Sequence, residues 1–564
     1  MPPVLSHLHT YFLFPFSIDK QAVLAGHREL WAGHSSWIEG LDEWIAAHPG
    51  LRSAPIVDRL GRWRRAPYTR FDMDSPVYQD MVFFHPFVRR IFFDTGEAWG
   101  GAGDVEALLR CYTIPVPEGA RIWFTARDAR GRSARVEVND LRMFLFANGI
   151  GILSIGVEAF DIPADLALWI NETMRKVYPS SGRQVREGRG PNYLAFTVER
   201  DNREQVAVEE TFETGAMRGF LPPLARTITG LLYFADYEQQ EFEPVLDERM
   251  IVHTFAEVDQ SSAGPDYAQS EDYQVFLSRL LYVDRWGEDY RYEPAFTRGE
   301  MRRQVYARWA HQGTWYGFTS YSSVTLAIGS HDRDEHRAEE GFLLHRMFGT
   351  RYYLMAMVTL FYRATLLDFA ERTALVSRAL YRYQQDDRPT VEHIRMAGAL
   401  RADFHHFANY WHFDELANKD EENEHFRMQC REYHIDSMKQ EIEEEIEKLN
   451  ASLDNYYQFR NTEAVNRLAL LSVIVGAGAV LTGFFGMNFG GPFEWLFFRP
   501  DRLSQPVHIT AIAAVTLLAS GALTFGAYIV IRNWSDYRDS LVPRRRRDAA
   551  EEENLRRVRL PESE

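Results

Sequence analysis

The chain has 564 residues, room for two or three domains, and sets 63 basic against 80 acidic residues for a net charge of −17. That balance argues against nucleic acid as a partner and suits attraction of cations. Cys111 and Cys430, the two cysteines, are too few for a disulfide framework or a thiolate metal site, so a reducing cytosol is the natural home of the soluble part.

The opening MPPVLSHLHTYFLFPFSIDK has no basic n-region and Pro15 breaks its apolar run, so it does not read as a signal peptide. Residues 1 to about 105 combine a short strand, Tyr11 to Phe16, with helical pieces at Val23 to Trp31 and Ser36 to Ala47, and carry no chemical motif. Strands dominate from about 106 to 160. One hairpin turns near Arg130-Gly131 and another at Asn148-Gly149, where both residues are expected to supply the positive φ of a two-residue turn. A helix at Asp165 to Lys176 precedes a loop at Pro179-Ser180-Ser181-Gly182. Further elements are a strand at Met250 to Glu257, helices at Tyr273 to Leu281 and Glu300 to His311, and strand-like residues Thr314 to Ile328. Residues 1–330 thus read as one α/β cytoplasmic domain of two possible lobes. GxSxG, HExxH and GxxxxGK[ST] are missing, and the Gly-rich GEAWGGAGD lacks the lysine of a phosphate loop, so no enzyme is expected.

Residues 331–466 read as a helical bundle leading into an acidic stalk helix. The signal is helical from Glu339 to Gln385, and its apolar piece Tyr352 to Tyr362 is too short to span a membrane, which predicts a buried bundle helix. A second helix is expected over 391 to 413 and a third from Asp414. Between Asp414 and Glu447 stand thirteen acids against four bases, above an apolar stripe of Ile435, Met438, Ile442, Ile446, Leu449, Leu453 and Tyr456. No Gly or Pro interrupts Glu432 to Val475, which predicts one unbroken rod of ~75 Å. The acids read as a solvated face, or as carboxylates that gather divalent ions between copies of the chain. His405 and His412, seven apart, read as surface histidines or as a weak pair for a borderline metal.

From Leu468 to Phe493, 26 residues pass without a charge, more than the ~20 needed to cross a bilayer. After Arg502, the 29 residues up to Arg532 have no formal charge except a possible His508. Two transmembrane helices, 467–488 and 506–532, are expected as a hairpin around an extracytoplasmic loop, 489–505. Nine arginines stand from Arg532 to the end of the tail 533–564 against two in the loop, and the positive-inside bias puts both termini in the cytoplasm of a multi-pass inner-membrane protein. Small residues at Gly476-Ala477-Gly478-Ala479, and at Ala519 to Ala522 and Gly526, suit helix packing in lipid.

The first span closes on Gly486-Met487-Asn488. That triplet at that position, the two-span hairpin and the acidic lead-in helix together resemble the CorA superfamily of divalent-cation channels over about residues 430 to 535. The resemblance implies a homo-oligomer, a pentamer in that family, that takes Mg²⁺ inward, with Co²⁺ and Ni²⁺ as passable ions and Mg²⁺ also as a regulatory ligand between cytoplasmic domains. It implies that Asn488 holds the hydrated ion at the pore mouth, with Gly486 allowing close backbone approach and Met487 packing the mouth. Mg²⁺ dehydrates reluctantly, so amide oxygens that bind through its water shell make chemical sense.

Stepping back from Gly483 by fours and threes gives Ala479, Gly476, Ser472, Leu468 and Val465, a stripe narrow toward the outer end and apolar toward the inner end. This stripe is expected to line the conduit, Leu468 and Val465 forming a hydrophobic constriction. No carboxylate lies in the spans to relay protons, which favours channel-like passage. After the triplet only Glu494 could serve as an acidic lure, and Gly490-Gly491-Pro492 is similar to the zinc-transporting branch. Zn²⁺ transport, or a non-conducting membrane-anchored sensor or scaffold with an enlarged N-terminal region, are the rival readings.

Overall fold

The computed structural model describes residues 3–32, 34, 36–47, 54–67, 82–94, 108–178, 181–212, 223–246, 249–287, 292–328, 343–385 and 391–486, with helical positions between 506 and 532. They fall into two compact units, Met1–Asn450 and Ala451–Glu564.

The first unit is built on strand β1, Val4–Ile18, 15 residues long where only Tyr11 to Phe16 was expected. Its residues alternate between two buried faces. Leu8, Phe12, Phe14 and Phe16 enter the main core, while His7, His9 and Tyr11 point to the opposite side and are also buried. A strand covered on both faces reads as a continuous hydrophobic run, which blurs its ends in the sequence. Pro15 sits between the end of the pairing with one neighbour at Leu13 and the start of another at Phe16, where no continuous ladder needs its missing N–H.

The remaining strands are β2 Arg64–Arg65, β3 Leu109–Thr113, β4 Ala120–Asp128, β5 Ser133–Phe146, β6 Ile150–Pro163, β7 Pro191–Arg200, β8 Arg203–Thr211, β9 Phe242–Pro244, β10 Ile251–Val258, β11 Val305–Tyr306, β12 Thr314–Phe318 and β13 Ser322–Ile328. They form one mixed sheet in the order β11-β12-β13-β10-β1-β6-β5-β4-β7-β8, with β2, β3 and β9 on its margins. The pairs are antiparallel except β10 with β13. A parallel pair needs a long crossover, and here two helices, α2 Glu271–Tyr282 and α3 Pro294–Gln304, lie between them in the chain.

The turn near Arg130-Gly131 forms as expected, with Gly131 at φ 84°. The turn at Asn148-Gly149 differs: Ala147 to Gly149 make a three-residue connection, and Gly149 (φ 99°) has the positive φ that was expected of both residues. Residues Glu300 to His311 also depart from expectation. Helix α3 starts earlier, at Pro294, whose fixed φ suits a first helical position, and ends at Gln304, after which the chain enters β11.

Helix α1, Ala164–Met174, packs on β1, β4, β6 and β7. A buried polar cluster links it to the sheet: Thr10 Oγ1 donates to Asn171 Oδ1 at 3.0 Å, and Asn171 Nδ2 donates to Thr254 Oγ1 at 3.3 Å. On the other face lies helical structure from Leu343 onward: α4 Leu343–Met347, a π-helical turn Phe348–Tyr352, and α5 Tyr353–Gln385. Among the described residues this run is long and apolar enough to cross a membrane over Leu344–Tyr381, but 78% of its most apolar window is buried within the protein, against β1 and β6 among others. It is a core helix, longer than the eleven-residue apolar piece that marks it in the sequence.

Helix α6, Val391–His406, ends in a second π-helical turn, Phe407–Trp411. The third helix, α7 Asp420–Glu432, starts at Asp420 rather than Asp414 and stops short of the rod, which forms as one helix, α8 Ile435–Gly486, beginning three residues after the expected Glu432. His434 breaks them with φ 57°, a left-handed conformation that absence of Gly and Pro had not suggested. Ile435, Ile442, Ile446 and Leu453 are buried along α8, as their spacing predicts. Residues 451–486 of α8 and the helical positions between Pro506 and Arg532 belong to the second unit.

Candidate ion-conducting helix

Helix α8 is 52 residues long, and its last third, from Leu468, is apolar and rich in Gly and Ala. Near its C-terminal end the Thr482 hydroxyl donates to the carbonyl of Gly478 at 2.9 Å, so the group is satisfied within the helix. The expected conduit residues all lie on α8. Val465 is 62% and Leu468 52% exposed, and Ser472, Gly476, Ala479 and Gly483 are exposed as well. A Cβ added at Gly476 or Gly483 would meet nothing within 4 Å. Large apolar side chains in water are unfavourable, so a face with open Val465, Leu468 and Val475 is one that lipid or another protein surface must cover. Gly486 is the final helical residue. Met487, Asn488 and Glu494 lie outside the described residues.

The acids expected on the stalk divide by position. On α8, Glu441, Glu443, Glu444, Glu445 and Glu447 are exposed, a solvated face. On α7 they engage neighbours in the first unit. Glu421 accepts from Trp309 Nε1 at 2.7 Å, Glu424 accepts from the Tyr306 hydroxyl, and buried Glu422 faces Arg351 at 3.6 Å. Burial pushes the Glu421 carboxyl above its ordinary value.

His405 and His412 do not share a helical face. The π-helical turn intervenes and His412 is extended, buried against Tyr362, with Nδ1 3.2 Å from Lys439 Nζ. Burial, and then Lys439, lower its pKa to about 4. His425 sits among Tyr306, Tyr316, Tyr352 and Phe318, and burial lowers its pKa to about 3.

Residues 371–532 match the family model of the CorA-like Mg²⁺ transporter protein. Over those residues the chain is similar to the CorA family. No curated protein and no solved structure matches it. The CorA match begins inside α5 and runs through α6, α7 and α8, so it holds every expected conduit residue and leaves the sheet outside. That family is described as one of Mg²⁺ transporters.

Upstream of the CorA segment, sequence reasoning missed a second constellation. His7, His9, Glu158 and His345 converge on the α4 side of the sheet. His-x-His on a strand is a signal for two rings on one face, but it carries weight only once β1 is known to run through it.

Proposed function

We propose that the chain is a divalent-cation channel that passes Mg²⁺ into the cytoplasm, with Co²⁺ and Ni²⁺ as passable ions. The observation that carries this reading is the CorA match over residues 371–532, which takes in a continuous helix whose small-residue stripe is exposed in a single chain. Several copies of α8, five by analogy with the family, would turn Val465, Leu468, Ser472, Gly476, Ala479 and Gly483 inward. The stripe bears no charge, so a hydrated ion meets apolar constriction at Leu468 and Val465 and small residues above it. The Gly486-Met487-Asn488 triplet forms the mouth, where the Asn488 amide holds Mg²⁺ through its water shell, and Glu494 attracts cations to it. The second helix, 506–532, closes a hairpin in the bilayer, with both termini cytoplasmic. Mg²⁺ gathered by the acids between copies holds the assembly closed.

Gly490-Gly491-Pro492 supports a second reading, transport of Zn²⁺. Uptake by liposomes holding purified protein and an ion-sensitive dye separates them. Mg²⁺ flux that disappears in Asn488→Ala supports the Mg²⁺ channel, and Zn²⁺ flux alone supports the zinc branch. No flux from folded, oligomeric protein makes it a membrane-anchored sensor built on the sheet domain.

A further inference from the structure

β1 places His7 and His9 two residues apart, so both rings leave the same face of the sheet. The antiparallel pairing of β1 with β6 sets Glu158 directly opposite His9. Helix α4 brings His345 down onto the same spot. Glu158 Oε1 lies 3.6 Å from His7 Nε2 and 3.6 Å from His345 Nε2, and one ligand atom from each of the three lies within 4.8 Å of the others. Ligands about 2.0–2.1 Å from a tetrahedral Zn²⁺ stand about 3.4 Å from one another. The three groups are therefore near the spacing of one cation's ligands without any change of fold.

We propose that His7, His345 and Glu158 form a transition-metal site, of Zn²⁺ type, that clasps α4 to the central strand. Two imidazole nitrogens and a carboxylate oxygen suit Zn²⁺, Co²⁺ or Ni²⁺, whereas Mg²⁺ prefers oxygen ligands and its own waters. The site differs from the pore in place and in chemistry, and it stands whether or not the chain conducts.

Two features make it a built site rather than a meeting of surface histidines. First, the Nε2 of His7 is buried, and its nearest carboxylate oxygen is beyond hydrogen-bond length. Second, the outer partners are in place. Asn139 Nδ2 is 3.1 Å from His9 Nε2, so His9 carries its proton on Nδ1 and donates to His345 Nε2 at 2.7 Å. A cation on His345 Nε2 would take that lone pair, and the His9 N–H has Glu158 Oε1 at 3.3 Å to turn to. His9 is thus a positioning residue. Phe255 and Phe348 pack against the His7 and His9 rings at 5.7 and 5.4 Å on the buried side, and Phe160, itself exposed, stacks on His7 at 4.5 Å.

Full-length protein stripped with a chelator and titrated with Zn²⁺ against a chromophoric competitor should bind one ion per chain that His345→Ala and His7→Ala both lose and Asn488→Ala retains. His9→Ala, losing only a positioning contact, should weaken binding about 10- to 100-fold. Co²⁺ in place of Zn²⁺ should give the intense visible absorption of a four-coordinate site. Equal Zn²⁺ stoichiometry and affinity in wild type and His345→Ala would overturn the proposal. Should the alanine variants melt below the assay temperature, the wild type still decides. Micromolar Zn²⁺ must raise its melting temperature above that in the same concentration of Mg²⁺, and an absent Co²⁺ spectrum rejects the site.

Discussion

His425 shows how a single buried ring ties stability to pH. Its side chain is surrounded by Tyr306, Tyr316 and Tyr352, and burial lowers its pKa to about 3. An unfolded histidine protonates near pH 6.5. Between those values the unfolded chain holds more protons, so stability is complete above pH 6.5 and is lost as pH falls toward 3. Going from pH 7 to 5 should remove roughly 2 kcal/mol through this group. His425→Phe, which keeps an aromatic ring, should flatten the fall in melting temperature between those pH values. An unchanged slope would assign the acid sensitivity to His253 or His412, whose pKa values burial also lowers. Gly151 supplies a second residue-scale prediction. It pairs directly with Phe16, and a Cβ there would come within 2.2 Å of the ring. Gly151→Ala should cost roughly 1–3 kcal/mol, read as a lower melting temperature, because a packed sheet cannot move the ring away.

At the scale of elements, the break between α7 and α8 rests on one left-handed histidine. Only glycine adopts that conformation without cost, so His434→Gly should raise stability by a few tenths to about 1 kcal/mol. A replacement by β-branched valine should lower it, and equal melting of all three would mean that the break is not strained. Below the break, Ile442 and Ile446 bury one face of α8 while the acids stay in solvent. Ile442→Ala should cost roughly 2–5 kcal/mol, whereas Glu443→Ala should change melting little. The stripe and the acidic face were legible as a spacing of three and four. The break was not, because nothing in Tyr433-His434 signals a positive φ. The helix reading at Glu300 to His311 failed for a related reason: β12 offered a strand partner to Val305-Tyr306, and a pairing partner outweighs local propensity.

For the whole molecule, the exposed stripe on α8 makes the decisive prediction. Cysteines at Gly476 and Ala479 in the oligomer in liposomes should react with a water-soluble, membrane-impermeant thiol reagent and block flux once modified. Cysteines at Gly478, off the stripe, should react more slowly. Protection of both stripe positions would move the conduit to another face of the helix. The two native cysteines, Cys111 and Cys430, are buried and do not obscure the readout.

The apolar stretch from Leu468, the periodic stripe on α8 and the kinship of residues 371–532 were all determined by the sequence alone, because each is a local pattern of hydrophobicity and spacing along one helix. What only the tertiary structure decided is what distant segments bring together. Residues 7, 158 and 345 meet because antiparallel pairing of β1 with β6 sets their register and α4 returns to that face. Register and return are set by packing across the whole sheet, and no window of the chain contains them.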